Sequence, residues 1–187
     1  SYMQARLITA QRFLETGREP EAVTALLEAA EATYRIDPDG MDQAGYQRAQ
    51  LDAVTAALSL ERPDEEVLAA LEAAEAHLAS LREPAEGGGA ELISFLMQIC
   101  AEAYEAGVSL GSVRRPLEYQ TAYGLAILAQ ELASELDAET HGDLHLELRM
   151  LVLMWPAAGP VTTAAPPPEF QMAEQFARVG SALAGLP

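Results

Sequence analysis

Residues 5–34, ARLITAQRFLETGREPEAVTALLEAAEATY, and residues 49–78, AQLDAVTAALSLERPDEEVLAALEAAEAHL, are one pattern written twice, 44 positions apart and without a gap. Ala5, Leu7, Leu14, Arg18, Glu21, Val23, Ala25 and the run Leu27-Glu28-Ala29-Ala30-Glu31-Ala32 recur. Their counterparts are Ala49, Leu51, Leu58, Arg62, Glu65, Val67, Ala69 and Leu71-Glu72-Ala73-Ala74-Glu75-Ala76. A fixed period of this size predicts stacked supersecondary units, each needing a neighbour to bury its apolar face.

The unit is a helical hairpin. Leu7, Ala10, Phe13 and Leu14 share one helical face, and Gly17 is a natural residue to end it. Pro20 suits the first helical position, where its missing N–H costs nothing. Val23, Leu26, Leu27 and Ala30 form the next stripe, which Asp37-Pro38-Asp39-Gly40 should break. The second copy predicts a helix over roughly 42–60, a restart at Pro63 and a helix to about Leu81. Alanine-rich stripes favour helix by propensity alone. Glu83 through Gly89 reads as a linker, followed by helices near 91–106, 116–136, 141–155 and 168–184. Pro156 stops the seventh helix of the chain, 141–155, and the proline-rich stretch Gly159–Pro168 carries no helical pattern. No segment alternates with a period of two, so no sheet is expected. The expected fold is all-α: one domain over 1–187, with about eight antiparallel helices as stacked hairpins. Residues 1–82 would hold the duplicated hairpins, 83–90 the linker and 91–187 the second helical half.

Length and composition bound the function. The 187 residues can bury a substantial core, and no run approaches the ~20 apolar residues of a membrane span. Formal charge is −18; all eleven basic residues are Arg, and Lys and Asn are absent, as in high-GC coding bias. Such acidity excludes nucleic acid, whose phosphates need clustered cations, and Arg114-Arg115 is the sole adjacent pair. Cys100, the single cysteine, lies in an apolar run and reads as a small buried hydrophobe. The opening Ser1-Tyr2-Met3 leads into helix at once, as expected of a mature exported chain or of a trimmed one.

Two resemblances follow from particular residues. Phe13, Gly17, Glu21-Ala22, Ala29 and Asp37-Pro38 make the first hairpin resemble a tetratricopeptide unit, a likeness of helical-hairpin physics. The second copy departs from it at Ala57, Glu61 and Glu66. Ala101-Glu102-Ala103-Tyr104, Gly107-Val108, Gly111 and Glu118-Tyr119-Gln120-Thr121-Ala122-Tyr123-Gly124 are similar to a motif of uncharacterised secreted bacterial all-helical proteins. That resemblance implies an exported helical protein, with Leu151–Pro156 matching the group's C-terminal segment. It implies a periplasmic or secreted location; a cytoplasmic one is the alternative. The group's first hairpin carries histidines, whereas Gln11, Arg12, Ala25 and Glu28 occupy that region here. No metal or haem role therefore carries over to that hairpin.

Two sets of residues could carry chemistry. His141 and His145, with Asp137 four before, would share one face of a continuous helix and could hold Zn or Cu. Thr140 followed by Asp143 would instead cap the helix and remove Asp137 from that face. Tyr119 and Tyr123 stack on one helical face, and with Tyr104 they could line a ligand pocket or simply pack. The helix 141–155 is apolar on two faces, so the last helix or a second copy must cover it. The internal cover predicts a monomer, with Trp155 buried between the last two helices. No nucleophile elbow, phosphate loop or zinc-protease motif is present. The expected function is therefore a non-enzymatic, extracytoplasmic binding or interaction protein, its partner a protein or small molecule, with no cofactor. The alternative is a small-molecule, metal or haem protein using the Tyr and His residues.

Overall fold

The computed structural model describes residues 2–17, 19–81 and 89–185. Among them nine α-helices and one two-residue strand pair make up the regular structure, so the chain is all-α. The chain divides into two compact units, Tyr2–Glu83 and Pro84–Pro187. Most of the expected linker lies outside the described residues; Gly89 and Ala90, its last two positions, already belong to a helix.

The first unit holds α1 (Tyr2–Thr16), α2 (Pro20–Ile36), α3 (Pro38–Gln43), α4 (Ala49–Ser59) and α5 (Asp64–Ser80). Helix α1 packs against α2 and α5; α4 packs against α5 and only lightly against α2. Helix α5 starts and stops 44 residues after α2. The same offset carries buried Val23, Leu27 and Ala30 onto buried Val67, Leu71 and Ala74. Gly17 and Glu61, also 44 apart, both take positive φ just beyond a helix. The match fails at α4, which starts three residues later than the offset of α1 requires.

Asp37-Pro38-Asp39-Gly40 does more than break α2. Pro38 occupies the first turn of α3, and the Asp37 side chain accepts from the Gly40 N–H at 3.0 Å. A short helix therefore stands where the sequence suggested a bare turn, because Asp37 caps and Pro38 fixes φ for a new start. Tyr34 holds α3 itself, its hydroxyl donating to Asp42, and His77 holds the loop that follows, its Nε2 accepting from the Gln47 N–H at 2.8 Å. Tyr46 stacks between Tyr34 and His77, and burial raises its hydroxyl pKa to about 12.

The second unit holds α6 (Gly89–Gly107), β1 (Val108–Ser109), β2 (Ser112–Val113), α7 (Pro116–Ser134), α8 (Ala138–Leu153) and α9 (Glu169–Ala184). Helix α6 runs along α7, α7 along α8, and α9 returns onto α8 and α6. The hairpin is a departure from the expected absence of strands. Leu110 and Gly111 both take positive φ, which joins Ser109 and Ser112 by the tightest turn type. Strands of two residues are too short to produce a readable alternation. Gly107 decides how closely α6 and α7 meet: a Cβ there would lie 2.5 Å from the Tyr119 backbone nitrogen. The Gly107 carbonyl accepts from the N–H groups of Arg114 and Arg115, closing the connection into α7.

Candidate functional site

The three tyrosines do come together, around a tryptophan. Tyr104 on α6 and Tyr119 and Tyr123 on α7 pack on Trp155, just past the end of α8. Ring centroids lie 5.8, 6.4 and 5.7 Å from the indole, and Tyr104 and Tyr119 lie 6.0 Å apart. None of the four is more than 6 % exposed. The Tyr104 hydroxyl donates to the Pro167 carbonyl, so the proline-rich connection is pinned over the cluster. Gly159, Pro160, Val161, Pro166 and Pro167 of that connection are buried. Burial, with Tyr119 and Glu169 adding to it, pushes the Tyr104 hydroxyl above the ordinary tyrosine range. Edge-to-face and tilted contacts of this kind are how aromatic side chains pack a core. Trp155 is buried as expected, and its aromatic partners come from α6 and α7. Helix α9 covers one face of α8 through Met172, Gln175 and Val179, while Leu146, Met150 and Leu153 remain exposed.

The histidines take neither of the two expected arrangements. Asp137 itself caps α8, accepting from the Thr140 N–H at 2.9 Å and from the Thr140 hydroxyl at 2.8 Å. These bonds hold its carboxyl below the usual range. His141 leaves helical geometry with φ −113°, and its Nδ1 lies 3.0 Å from the Asp137 carbonyl oxygen. The kink breaks the i, i+4 register that would have aligned Asp137, His141 and His145. Among the described residues no three His, Cys, Asp or Glu side chains are grouped to hold a metal ion. Cys100 is fully buried; its thiol donates to the Ala122 carbonyl, and burial raises its pKa.

A third place was invisible to motif reading. Where α2 and α4 meet only lightly, an open groove of about 290 Å³ is lined by Thr24, Leu27, Glu28, Glu31, Thr55, Leu58 and Ser59. Glu31 is occupied: Arg35 reaches one carboxylate oxygen at 2.9 Å and Arg48 the other at 3.1 Å. Glu28 forms no ion pair or hydrogen bond among the described residues. Thr55 and Ser59 each donate their hydroxyl proton to a backbone carbonyl four residues back. Their oxygens are therefore left to the groove as acceptors only, whereas the Thr24 hydroxyl forms no hydrogen bond among the described residues and can accept or donate. Glu28 and Glu31 looked like part of a solvated helix face, and Thr55 and Ser59 match no motif. The one sequence signal was spacing on a single helical face, three residues for Glu28 and Glu31 and four for Thr55 and Ser59.

No family model matches the chain, and no curated protein or solved structure matches it either.

Proposed function

We propose that this chain is a non-enzymatic, extracytoplasmic binding protein whose first unit holds a small cationic solute in the α2–α4 groove. The observation that carries this reading is the groove's excess of acceptors around one unpaired carboxylate. Its polar lining is weighted towards acceptors: the Glu28 carboxylate and the Thr55 and Ser59 oxygens accept only, and the Thr24 hydroxyl can accept or donate. Leu27 and Leu58 add a short apolar wall. A ligand matched to that lining donates several hydrogen bonds, carries positive charge and has a short aliphatic body. A linear diamine fits the description. The volume lies near the lower end of small-molecule sites, ~300–1,000 Å³, which limits the ligand to a few carbons. The net charge of −18 adds long-range attraction for a cation.

A binding role is favoured over catalysis because Thr55 and Ser59 spend their hydroxyl protons on backbone carbonyls, so neither is an activated nucleophile. The extracytoplasmic placement rests on the resemblance of residues 101–124 to exported helical proteins. In the test, putrescine is titrated into the full chain by calorimetry and thermal shift, with butanediol and succinate as neutral and anionic controls. Putrescine should raise the melting temperature, the two controls should not, and Glu28→Gln should remove the effect while leaving the fold intact. Equal responses to diamine and diol, or undiminished binding by Glu28→Gln, would refute the reading.

A further inference from the structure

Helix α8 buries Leu144, Leu148 and Leu151 on one side and leaves Leu146, Met150 and Leu153 exposed on the other. Two further features of that outer face have no explanation within the chain. Gly142 lies inside the helix, and a Cβ there would meet nothing within 4 Å. A helical glycine costs roughly 1 kcal/mol against alanine, and no neighbour in the chain requires it. Asp143 and Arg149 are exposed and form no ion pair or hydrogen bond among the described residues. The other arginine in the second unit's helices, Arg178, is engaged: it reaches Gln175 and Glu147.

These residues are arranged symmetrically. Asp143 and Arg149 lie three positions before and after Leu146, and Gly142 and Met150 lie four before and after it. At 100° per residue, all five fall on one side of the helix, within about 60° of Leu146.

We propose that α8 pairs with α8 of a second copy, antiparallel, about a two-fold axis through Leu146. In that register Leu146 meets its own symmetry mate. Asp143 stands level with the partner's Arg149, diagonally across the seam, and Arg149 stands level with the partner's Asp143. The partner's Met150 projects over Gly142, where the missing Cβ leaves room for the thioether. Such an interface is isologous: one patch supplies both halves, and each half-pair is repeated twice. A shallow crossing angle, as in antiparallel helix bundles, keeps both charge pairs within reach. This surface and the α2–α4 groove are independent of each other. The last helix covers only the inner face of α8, so the internal cover that favours a monomer leaves this stripe untouched.

One helix pair makes a small interface, and two chains of charge −18 repel at long range. Association is therefore reversible, and it is measured at ~0.15 M salt, where the Debye length falls to ~8 Å. The experiment is analytical ultracentrifugation of the full chain over ~10 µM to ~1 mM, a range that captures weak homodimers. The expected result is a monomer–dimer equilibrium that Leu146→Asp abolishes without lowering the melting temperature, since Leu146 is solvent-exposed. Asp143→Arg alone or Arg149→Asp alone places like charges together twice per dimer and should weaken association on the order of tenfold. The double variant Asp143→Arg with Arg149→Asp reverses both pairs and should restore it. A chain that stays monomeric throughout, a dimer indifferent to Leu146→Asp, or a double variant weaker than either single one would overturn the proposal.

Discussion

Gly107→Ala sets helix propensity against packing, and the two predict opposite signs. Alanine is preferred over glycine in a helix by ~1 kcal/mol, so propensity alone makes the variant more stable. Packing says otherwise. The new Cβ would sit 2.5 Å from the Tyr119 nitrogen, 2.9 Å from its Cα and 3.0 Å from its Cβ. Two of these three atoms are backbone, so no side-chain rotation relieves the contact. Ordinary carbon contacts begin near ~3.5 Å, and α6 and α7 must therefore part by roughly 1 Å at their closest approach. A gap of that size forfeits a quarter to a half of the dispersion energy across the opened contact. The contacts at stake include the Tyr104–Tyr119 rings and the Cys100–Ala122 hydrogen bond. Overpacking of this kind costs about 1–3 kcal/mol, and the upper part of that range applies where backbone is struck. The net expectation is a loss of about 2 kcal/mol, or roughly 8–16 °C in melting temperature for a unit of this size. Circular dichroism at 222 nm during thermal and urea unfolding measures it. Gly180→Ala in α9, where a Cβ would meet nothing within 4 Å, is the control and should gain several tenths of a kcal/mol. If Gly107→Ala is as stable as the parent, the close approach of α6 and α7 is not what this glycine serves.

Two further outcomes follow from the second unit. Tyr104→Phe removes the bond to the Pro167 carbonyl and leaves that buried oxygen without its donor, which should cost about 1–2 kcal/mol; urea titration followed by Trp155 fluorescence reports it, and an unchanged midpoint would mean the connection is held by other contacts. Asp137 has a depressed folded pKa, set first by the Thr140 side-chain bond and then by its backbone bond. Its stabilisation is thus complete above the unfolded carboxylate value of ~3.9 and is lost as pH falls through the lower folded value. Asp137→Asn should flatten the acid limb of the unfolding curve below about pH 4, and a limb identical to the parent's would contradict the cap.

How much of this was legible beforehand depends on the range of the interactions involved. Helix existence was legible throughout, because a 3.6-residue stripe such as Val23, Leu26, Leu27 and Ala30 records burial in the sequence itself. Capping was only half legible: Asp37-Pro38 announced the end of α2 but also started α3, and Asp137 displaced Thr140 as the cap of α8. A cap is a contest between neighbouring side chains for the same N–H groups, and composition names the contestants without deciding the winner. That Tyr104, Tyr119 and Tyr123 belong together could be suggested from spacing. That they close on Trp155 under Pro167, 63 residues from Tyr104, could not.

By itself the sequence determined that the chain is helical, that it is strongly acidic, and where most turns fall, since each of these is a local property of propensity, charge and punctuation. Tertiary structure decided everything that depends on which faces meet. It turned the tyrosines into core, committed the Asp137 carboxylate to capping Thr140, and left an acceptor-rich groove where α2 and α4 fail to pack tightly. It also left Leu146, Met150 and Leu153 in solvent, although their spacing is as regular as that of buried Leu144, Leu148 and Leu151. The physical reason is that periodicity records how apolar a face is, while its burial depends on what the rest of the chain has left to place against it.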